Sequence, residues 1–153
     1  MTVKISSSTI NNNASSGIKS SQTTSSTGGV GGSDTFQSVF KTARLDNFNG
    51  SMKELLDIVK VRGDAFVHSP QEDSLSSYRE SVKLFLNRIK DEFLSLKEEF
   101  GASRDGEQRV YQLVETAGGQ ADSLTKEAFT KDKALDLLAS LDDIRGLVLD
   151  VIG

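Results

Sequence analysis

The stretch from Ser69 to Phe100 constrains the fold most, because its apolar residues recur at helical spacing along its whole length. Ser69-Pro70-Gln71-Glu72 combines a capping hydroxyl, a proline suited to a first turn and an acidic residue three positions on, which predicts that a helix begins at Ser69. At 1.5 Å per residue this helix is roughly 45 Å long, too long to bury its apolar face alone. That face comprises Leu75, Val82, Leu86, Ile89, Phe93, Leu96 and Phe100, with Tyr78 and Phe85 on one flank.

Such an apolar face is typical either of a coiled-coil seam or of the core side of a helical bundle. The repeat spans only about four heptads and the chain has further amphipathic stretches, which favours the bundle. The flanking Tyr78 and Phe85 widen the face beyond a narrow seam. We therefore predict an all-α fold, a bundle of about four main helices with this long helix at its centre.

The first 33 residues are mostly Ser, Thr, Asn and Gly and end in a glycine-rich run. A segment with so few apolar side chains cannot offset its ordering entropy, so we predict a disordered arm over residues 1–33 and a single helical domain over residues 34–153. The only charged side chains before Asp34 are Lys4 and Lys19, so the domain carries a net charge of −6, the total of −4 less these two positive charges. An acidic domain argues against nucleic-acid binding and against adhesion to anionic lipid.

Before the long helix, Asn47-Phe48-Asn49-Gly50 is typical of a turn, and Ser51 to Glu54 forms a second capping box that predicts a new helix. Gly63 lies in the apolar face of that helix. Glycine there costs about 1 kcal/mol relative to alanine, which suggests close approach of another helix. The single histidine, His68, falls where this helix should end, and a capping or solvent role is favoured over metal binding.

After the long helix, Gly101 to Gly106 predicts a loop, and apolar residues from Val110 to Phe129 predict one helix weakened in its middle by Gly118-Gly119. Thr130 is a candidate cap for a final helix that runs almost to the end of the chain. In that helix Arg145 lies at the apolar edge, where its stem can rest on the core and its guanidinium can reach water or a carboxylate. Gly146 indicates either close approach of another segment or a tolerated surface glycine.

The chain offers no recognisable catalytic or metal-binding constellation. It has no cysteine, one histidine and no Gly-rich phosphate loop with a lysine. Acidic pairs such as Asp91-Glu92 and Asp142-Asp143 are typical of solvated helix faces. We therefore predict that the protein is not an enzyme, holds no cofactor or metal and binds no nucleic acid. The sequence has no run of about 18 apolar residues, the length needed to span a membrane, and no apolar signal segment. A cytoplasmic location is therefore expected.

The order of several short motifs resembles the YaaR-like family of small bacterial proteins. The residues that carry the resemblance are Phe36-Gln37, Leu55-Leu56 with Gly63 ahead of Phe66, Tyr78 with Val82, Phe85 and Leu86, Leu113-Val114-Glu115, and Ile144-Arg145-Gly146-Leu147-Val148 followed by Leu149. The resemblance implies an all-α bacterial domain with no assigned activity and no catalytic residues. Gly118-Gly119 stands where relatives tend to have strong helix formers, which puts the continuity of that helix in question.

These observations together favour a protein that acts by binding other proteins, as an adaptor or regulatory domain. Gly63, Tyr78, Arg145 and Gly146 are the candidate helix-packing or partner-contact residues. The alternative is a component or cargo of a flagellar or secretion system, with the Ser-rich arm as its export signal. Self-association through the broad apolar face of the final helix is a further hypothesis.

Overall fold

The computed structural model describes the backbone of residues 25–153 and the side chains of residues 35–153. Four helices account for almost all of the described chain: α1 (Ser25–His68), α2 (Glu72–Phe100), α3 (Arg104–Asp122) and α4 (Lys131–Ile152). The predicted all-α bundle is confirmed. Most of the predicted arm lies outside the described residues, and the described backbone of residues 25–33 forms the beginning of α1.

The packing of the chain divides it into two units, Met1–Ala43 and Arg44–Gly153. The second unit contains the end of α1, all of α2, α3 and α4, and the hydrophobic core. The side chains at the centre of this core are fully buried: Phe48, Met52, Val59, Phe66, Tyr78, Val82, Phe85, Ile89, Phe93, Leu96, Leu141 and Ile144. The long apolar face predicted for α2 is buried as expected, from Leu75 to Leu96.

The predicted turn at residues 47–50 is wrong, because α1 continues through it without a break. Phe48 is 1% exposed and packs in the core with Met52 and Leu56, which lie one and two helical turns further along the same face. Burying a phenylalanine stabilises the fold by about 2 kcal/mol, which outweighs the helix penalty of about 1 kcal/mol at Gly50. The helix thus tolerates a glycine that, on sequence alone, resembles a turn signal.

The predicted start of α2 at Ser69 is also wrong. The Ser69 amide donates to the Ala65 carbonyl at 2.9 Å and so closes the last turn of α1. The N-cap of α2 is Gln71, whose amide donates to the Ser74 hydroxyl at 3.1 Å. Pro70 therefore lies in the short connection between the helices, where it needs no amide proton.

Helix α3 ends earlier than predicted, at Asp122, so the segment from Ser123 to Thr130 is a loop rather than the far half of a helix. The helix continues through Gly118-Gly119 and ends about one turn later, at Asp122. Arg79 of α2 fixes this end by donating to the carbonyl of Ala121 at 3.3 Å and to that of Leu124. Thr130 begins α4 as predicted, accepting a hydrogen bond from the Lys133 amide.

Candidate functional site

Two open grooves flank α3 on the surface of the second unit. The α2–α3 groove has a volume of about 720 Å³, and the α3–α4 groove about 530 Å³. Each groove has an apolar floor and polar walls, with two helix glycines lining the α2–α3 groove and one lining the α3–α4 groove. Both grooves are concave surfaces large enough to receive part of a ligand or partner, and we take them as the candidate functional sites.

The α2–α3 groove lies between two helices that run in opposite directions. Lys83 of α2 pairs with Asp122 of α3 at 2.9 Å, while Lys97, further along α2, pairs with Glu107, near the start of α3. Residue numbers therefore rise along α2 as they fall along α3. The groove is lined by Lys83, Leu86, Asn87 and Lys90 of α2, and by Tyr111, Val114, Glu115, Gly118, Gly119 and Asp122 of α3.

Charged side chains of opposite sign stand on the two walls of this groove. Lys83 and Lys90 belong to the α2 wall, and Glu115 and Asp122 to the α3 wall. Lys97, just beyond the groove, lies 5.4 Å from the centre of the Tyr111 ring. Its hydrogen bond to Glu107 raises the pKa of Lys97 above its ordinary value. The ammonium groups on the α2 side therefore face carboxylates on the α3 side.

Gly118 and Gly119 leave a part of the α3 wall, between Glu115 and Asp122, without side chains. A Cβ at Gly119 would have no atom within 4 Å, and one at Gly118 would meet only Leu86 Cδ1, at 3.7 Å, an ordinary contact. Packing within the described part of the chain therefore does not require glycine at either position. On sequence alone, this pair stands out only as a weak point of the helix.

The α3–α4 groove contains two residues singled out from the sequence, Arg145 and Gly146. A Cβ at Gly146 would have no atom within 4 Å, so no segment of the described chain approaches it closely. Leu113 and Leu147 contribute to the apolar floor, and Asp143 and Asp150 of α4 add acidic side chains to the wall. Gly146 is therefore open to contact from outside the chain.

Arg145 joins α4 to α1. Its guanidinium donates to Asp142, with Nε to Oδ1 at 2.9 Å, and also donates to the Asn49 side chain of α1. Its side chain is 15% exposed. The charge is thus engaged within the fold, and Arg145 stabilises the position of α4 against α1 rather than standing free for a partner.

Gly63 and Tyr78, the other two candidate residues, lie together in the core between α1, α2 and α4. A Cβ at Gly63 would be 3.1 Å from Tyr78 Cε1 and 3.8 Å from Ala134 Cβ. The Tyr78 ring contacts the Phe129 ring edge-on, with centroids 4.8 Å apart, and Phe129 in turn contacts Phe66 at 4.7 Å. This aromatic cluster of Phe66, Tyr78 and Phe129 is buried.

The Tyr78 hydroxyl is buried and has no hydrogen-bond partner among the residues that the structure describes. Burial also raises the pKa of Tyr78 to about 12, because the phenolate is poorly solvated in the core. An unpaired buried hydroxyl costs about 1–3 kcal/mol of stability. The position thus favours an aromatic ring and disfavours the oxygen attached to it.

We expect Tyr78→Phe to raise the free energy of unfolding by about 1 kcal/mol at pH 7, because it removes the unpaired hydroxyl and keeps the ring. The raised pKa of Tyr78 also determines how the stability of the wild-type protein depends on pH. Above pH 10 an unfolded tyrosine ionises while folded Tyr78 stays protonated up to about pH 12, so wild-type stability falls across this window. Urea unfolding between pH 7 and 11 should therefore show the advantage of the variant growing above pH 10. A variant less stable than wild type at pH 7 would show that the hydroxyl is paired.

We expect Gly63→Ala to lower the free energy of unfolding by about 1 kcal/mol, although alanine favours helix. The new methyl group would press on the Tyr78 ring at 3.1 Å, and a ring held in the core has little room to move. Gly146→Ala is the matched control, because it makes the same change at an open helix position and should stabilise by up to about 1 kcal/mol. Chemical unfolding of both variants measures the difference. Equal effects of the two substitutions would contradict the close packing at Gly63.

The structure brings together some of the candidate residues and separates others. Gly63 and Tyr78 touch, Arg145 bridges two helices elsewhere, and Gly146 opens on a groove. Sequence reasoning missed Lys90, Glu115 and Gly119 as groove residues. The available signal was the shared spacing of seven residues between Lys83 and Lys90 and between Glu115 and Asp122, but its meaning depends on α2 and α3 being neighbours.

Among the residues with described side chains, no group of three or more acidic or histidine residues is placed to hold a metal ion. Within the same range, none of the helices combines the length and the apolar character needed to cross a membrane.

No curated protein and no solved structure matches the chain. A family model described as "Protein of unknown function (DUF327)" matches residues 6–152, nearly the whole chain. The YaaR-like resemblance inferred from the motifs is confirmed, and the chain belongs to the DUF327 family.

Proposed function

We propose that this protein is a non-enzymatic protein-interaction domain of the bacterial cytoplasm, acting as an adaptor or regulatory domain without a cofactor. The observation that carries the proposal is the position of Gly119 and Gly146. Each lies within a helix, each lines one of the two grooves beside α3, and neither is required by packing among the described residues.

A helix-interior glycine lowers stability by about 1 kcal/mol relative to alanine, so the two positions together cost about 2 kcal/mol. Missing side chains allow the backbone of another protein to approach closely and leave a groove for its side chains. The grooves have apolar floors with charged rims, which is the arrangement of a recognition surface with a buried centre and a polar edge.

The residues available for chemistry support a binding role over catalysis. Tyr78, whose pKa is displaced, lies sealed in the core, where no substrate reaches it. Lys97, whose pKa is also displaced, is held in an ion pair with Glu107 on the surface. The displaced pKa values thus have structural causes, namely burial and ion pairing, and neither group is arranged beside a nucleophile in a groove.

Photo-crosslinking in the native cell tests the proposal. A photo-reactive phenylalanine analogue replaces Gly119 in one variant and Gly146 in a second. The matched control carries it at Gly50, another helix glycine where a Cβ would have no atom within 4 Å, but one that lies outside both grooves. We expect protein adducts from position 119, position 146 or both, and not from position 50. Equal labelling from all three positions, or no adducts from either groove, would contradict the proposal.

A further inference from the structure

The charges along the α2–α3 groove are arranged so that a copy related by a two-fold rotation would place its lysines against the carboxylates of the first copy. We propose that this groove is a dimer interface that receives a second copy of the same chain, with the two-fold axis parallel to the groove. This inference rests on the proposed interaction function and names its partner.

The charged residues occupy two levels along the groove. Lys83 and Lys90 are seven residues apart on α2, and Glu115 and Asp122 are seven residues apart on α3, so each pair is separated by about 10 Å along its helix. The 2.9 Å pair between Lys83 and Asp122 defines the first level. Because the helices are antiparallel, Lys90 then lies opposite Glu115 at the second level.

Symmetry selects one orientation of the second copy. In an isologous dimer the same patch faces itself, so every contact occurs twice. An axis parallel to the groove places the lysine row of one copy over the acidic row of the other, level by level. An axis perpendicular to the groove within the interface would place lysines over lysines and acids over acids, which is repulsive. Opposite charges therefore meet only when the two α3 helices run in the same direction.

The floor of the groove provides the apolar centre of such an interface. Leu86 and Val114 form the floor, and Tyr111 adds an aromatic side chain that is partly exposed. Gly118 and Gly119 let the backbone of α2 of the second copy approach closely, because the axis parallel to the groove places that helix over α3 and no Cβ stands between them. The order from apolar floor to charged rim matches the usual anatomy of a protein interface.

The size of the face predicts a weak dimer. Helix α3 has 19 residues, so the face is about 28 Å long and, with two helices side by side, about 20 Å wide. A contact of about 550 Å² per copy, or about 1,100 Å² in total, is at the lower end of specific interfaces. We therefore expect an equilibrium between monomer and dimer that shifts with protein concentration.

The test is light scattering with size-exclusion chromatography over a range of concentrations, applied to the full chain and to two charge variants. Lys90 and Glu115 are both exposed, so Lys90→Glu and Glu115→Lys should leave the fold intact, which unfolding curves check. Each variant alone creates two like-charge contacts per dimer, and we expect at least about a tenfold loss of self-association. Mixing the two variants restores opposite charges at both contacts, so the mixture should form heterodimers with wild-type-like affinity.

The outcomes separate this inference from the proposed function. A wild-type chain that stays monomeric at the highest concentration, or charge variants that self-associate like wild type, would overturn the dimer. So would two weakened variants that do not associate when mixed. If position 119 nevertheless cross-links to a different protein in the cell, the interaction function stands while the dimer fails. If no groove position gives adducts and the chain is monomeric, both fail.

Discussion

Replacing Phe129 by alanine is expected to lower the free energy of unfolding by about 3–4 kcal/mol, the largest effect of any single substitution proposed for this protein. Phe129 lies in the loop between α3 and α4, yet it is 7% exposed and its ring packs edge-on against both Phe66 and Tyr78. Removal of the ring loses apolar burial, leaves a cavity beside Phe66 of α1 and Tyr78 of α2, and ends two aromatic contacts. Urea-induced unfolding followed by circular dichroism measures the change.

The matched control is Phe36→Ala, which removes the same side chain where it is 72% exposed. We expect that substitution to change the free energy of unfolding by no more than about 0.5 kcal/mol. A small loss for Phe129→Ala, comparable with that of the control, would mean that the loop does not contribute to the core and would contradict the aromatic cluster.

The helical character of the chain was predictable because the apolar residues follow the helical period. The buried positions of α2, from Leu75 to Leu96, agree with the face read from the sequence. The same holds for α4, whose buried residues run from Leu137 to Ile152 and whose cap is Thr130. Periodicity and capping are local properties, so one segment is enough to reveal them.

The failed turn at residues 47–50 depends on contacts between segments far apart in the chain. Residues 47–50 have the composition of a turn, but the burial of Phe48 and the hydrogen bond from Arg145 to Asn49 keep them helical. Arg145 is 96 residues from Asn49, and no local pattern reports that contact. The composition of the segment favoured a turn, and the tertiary contacts outweighed it.

The candidate site was predictable only in part, for the same reason. Gly63 stood out because a glycine in an apolar face is unusual, and the structure shows Tyr78 packed beside it. The α2–α3 groove could not be derived, because exposed residues such as Lys90 and Glu115 look like ordinary solvated charges until α2 and α3 are known to be neighbours. Gly118-Gly119 was visible as a weak point of the helix, but its open surroundings were not.

The glycine in the core and the glycines on the surface thus differ in whether contacts within the fold offset their cost to helix stability. At Gly63 the missing side chain makes room for a ring of the same chain, so its cost to the helix is offset within the fold. At Gly119 and Gly146 no contact within the described chain offsets the cost. This contrast is why the proposed interaction surfaces are placed at the outer pair rather than at the aromatic cluster.

Replacing Arg79 by methionine is expected to lower the free energy of unfolding by about 2–3 kcal/mol, the second largest effect. Arg79 is partly buried on α2 and donates to the carbonyls of Ala121 and Leu124, at the end of α3 and the start of the loop. Methionine keeps the apolar stem but leaves those carbonyls without their charged donor, and hydrogen bonds to charged groups contribute about 1.5–3 kcal/mol. Amide hydrogen exchange should show the loss of protection concentrated in the last turn of α3 and in the loop that carries Phe129.

Arg88→Met is the matched control for Arg79, because it makes the same substitution on the same helix. The Arg88 side chain is 52% exposed and lies 3.9 Å from Glu92, a contact of the kind that contributes little. We expect it to change stability by no more than about 0.5 kcal/mol and to leave exchange in the loop unaltered. If Arg79→Met also left the loop protected, the end of α3 would have to be held by its own sequence, and α2 would have no part in positioning the acidic wall of the α2–α3 groove. If Arg79→Met lowered protection in the loop and also weakened self-association, Arg79 would instead support the groove by positioning Asp122 at the end of α3.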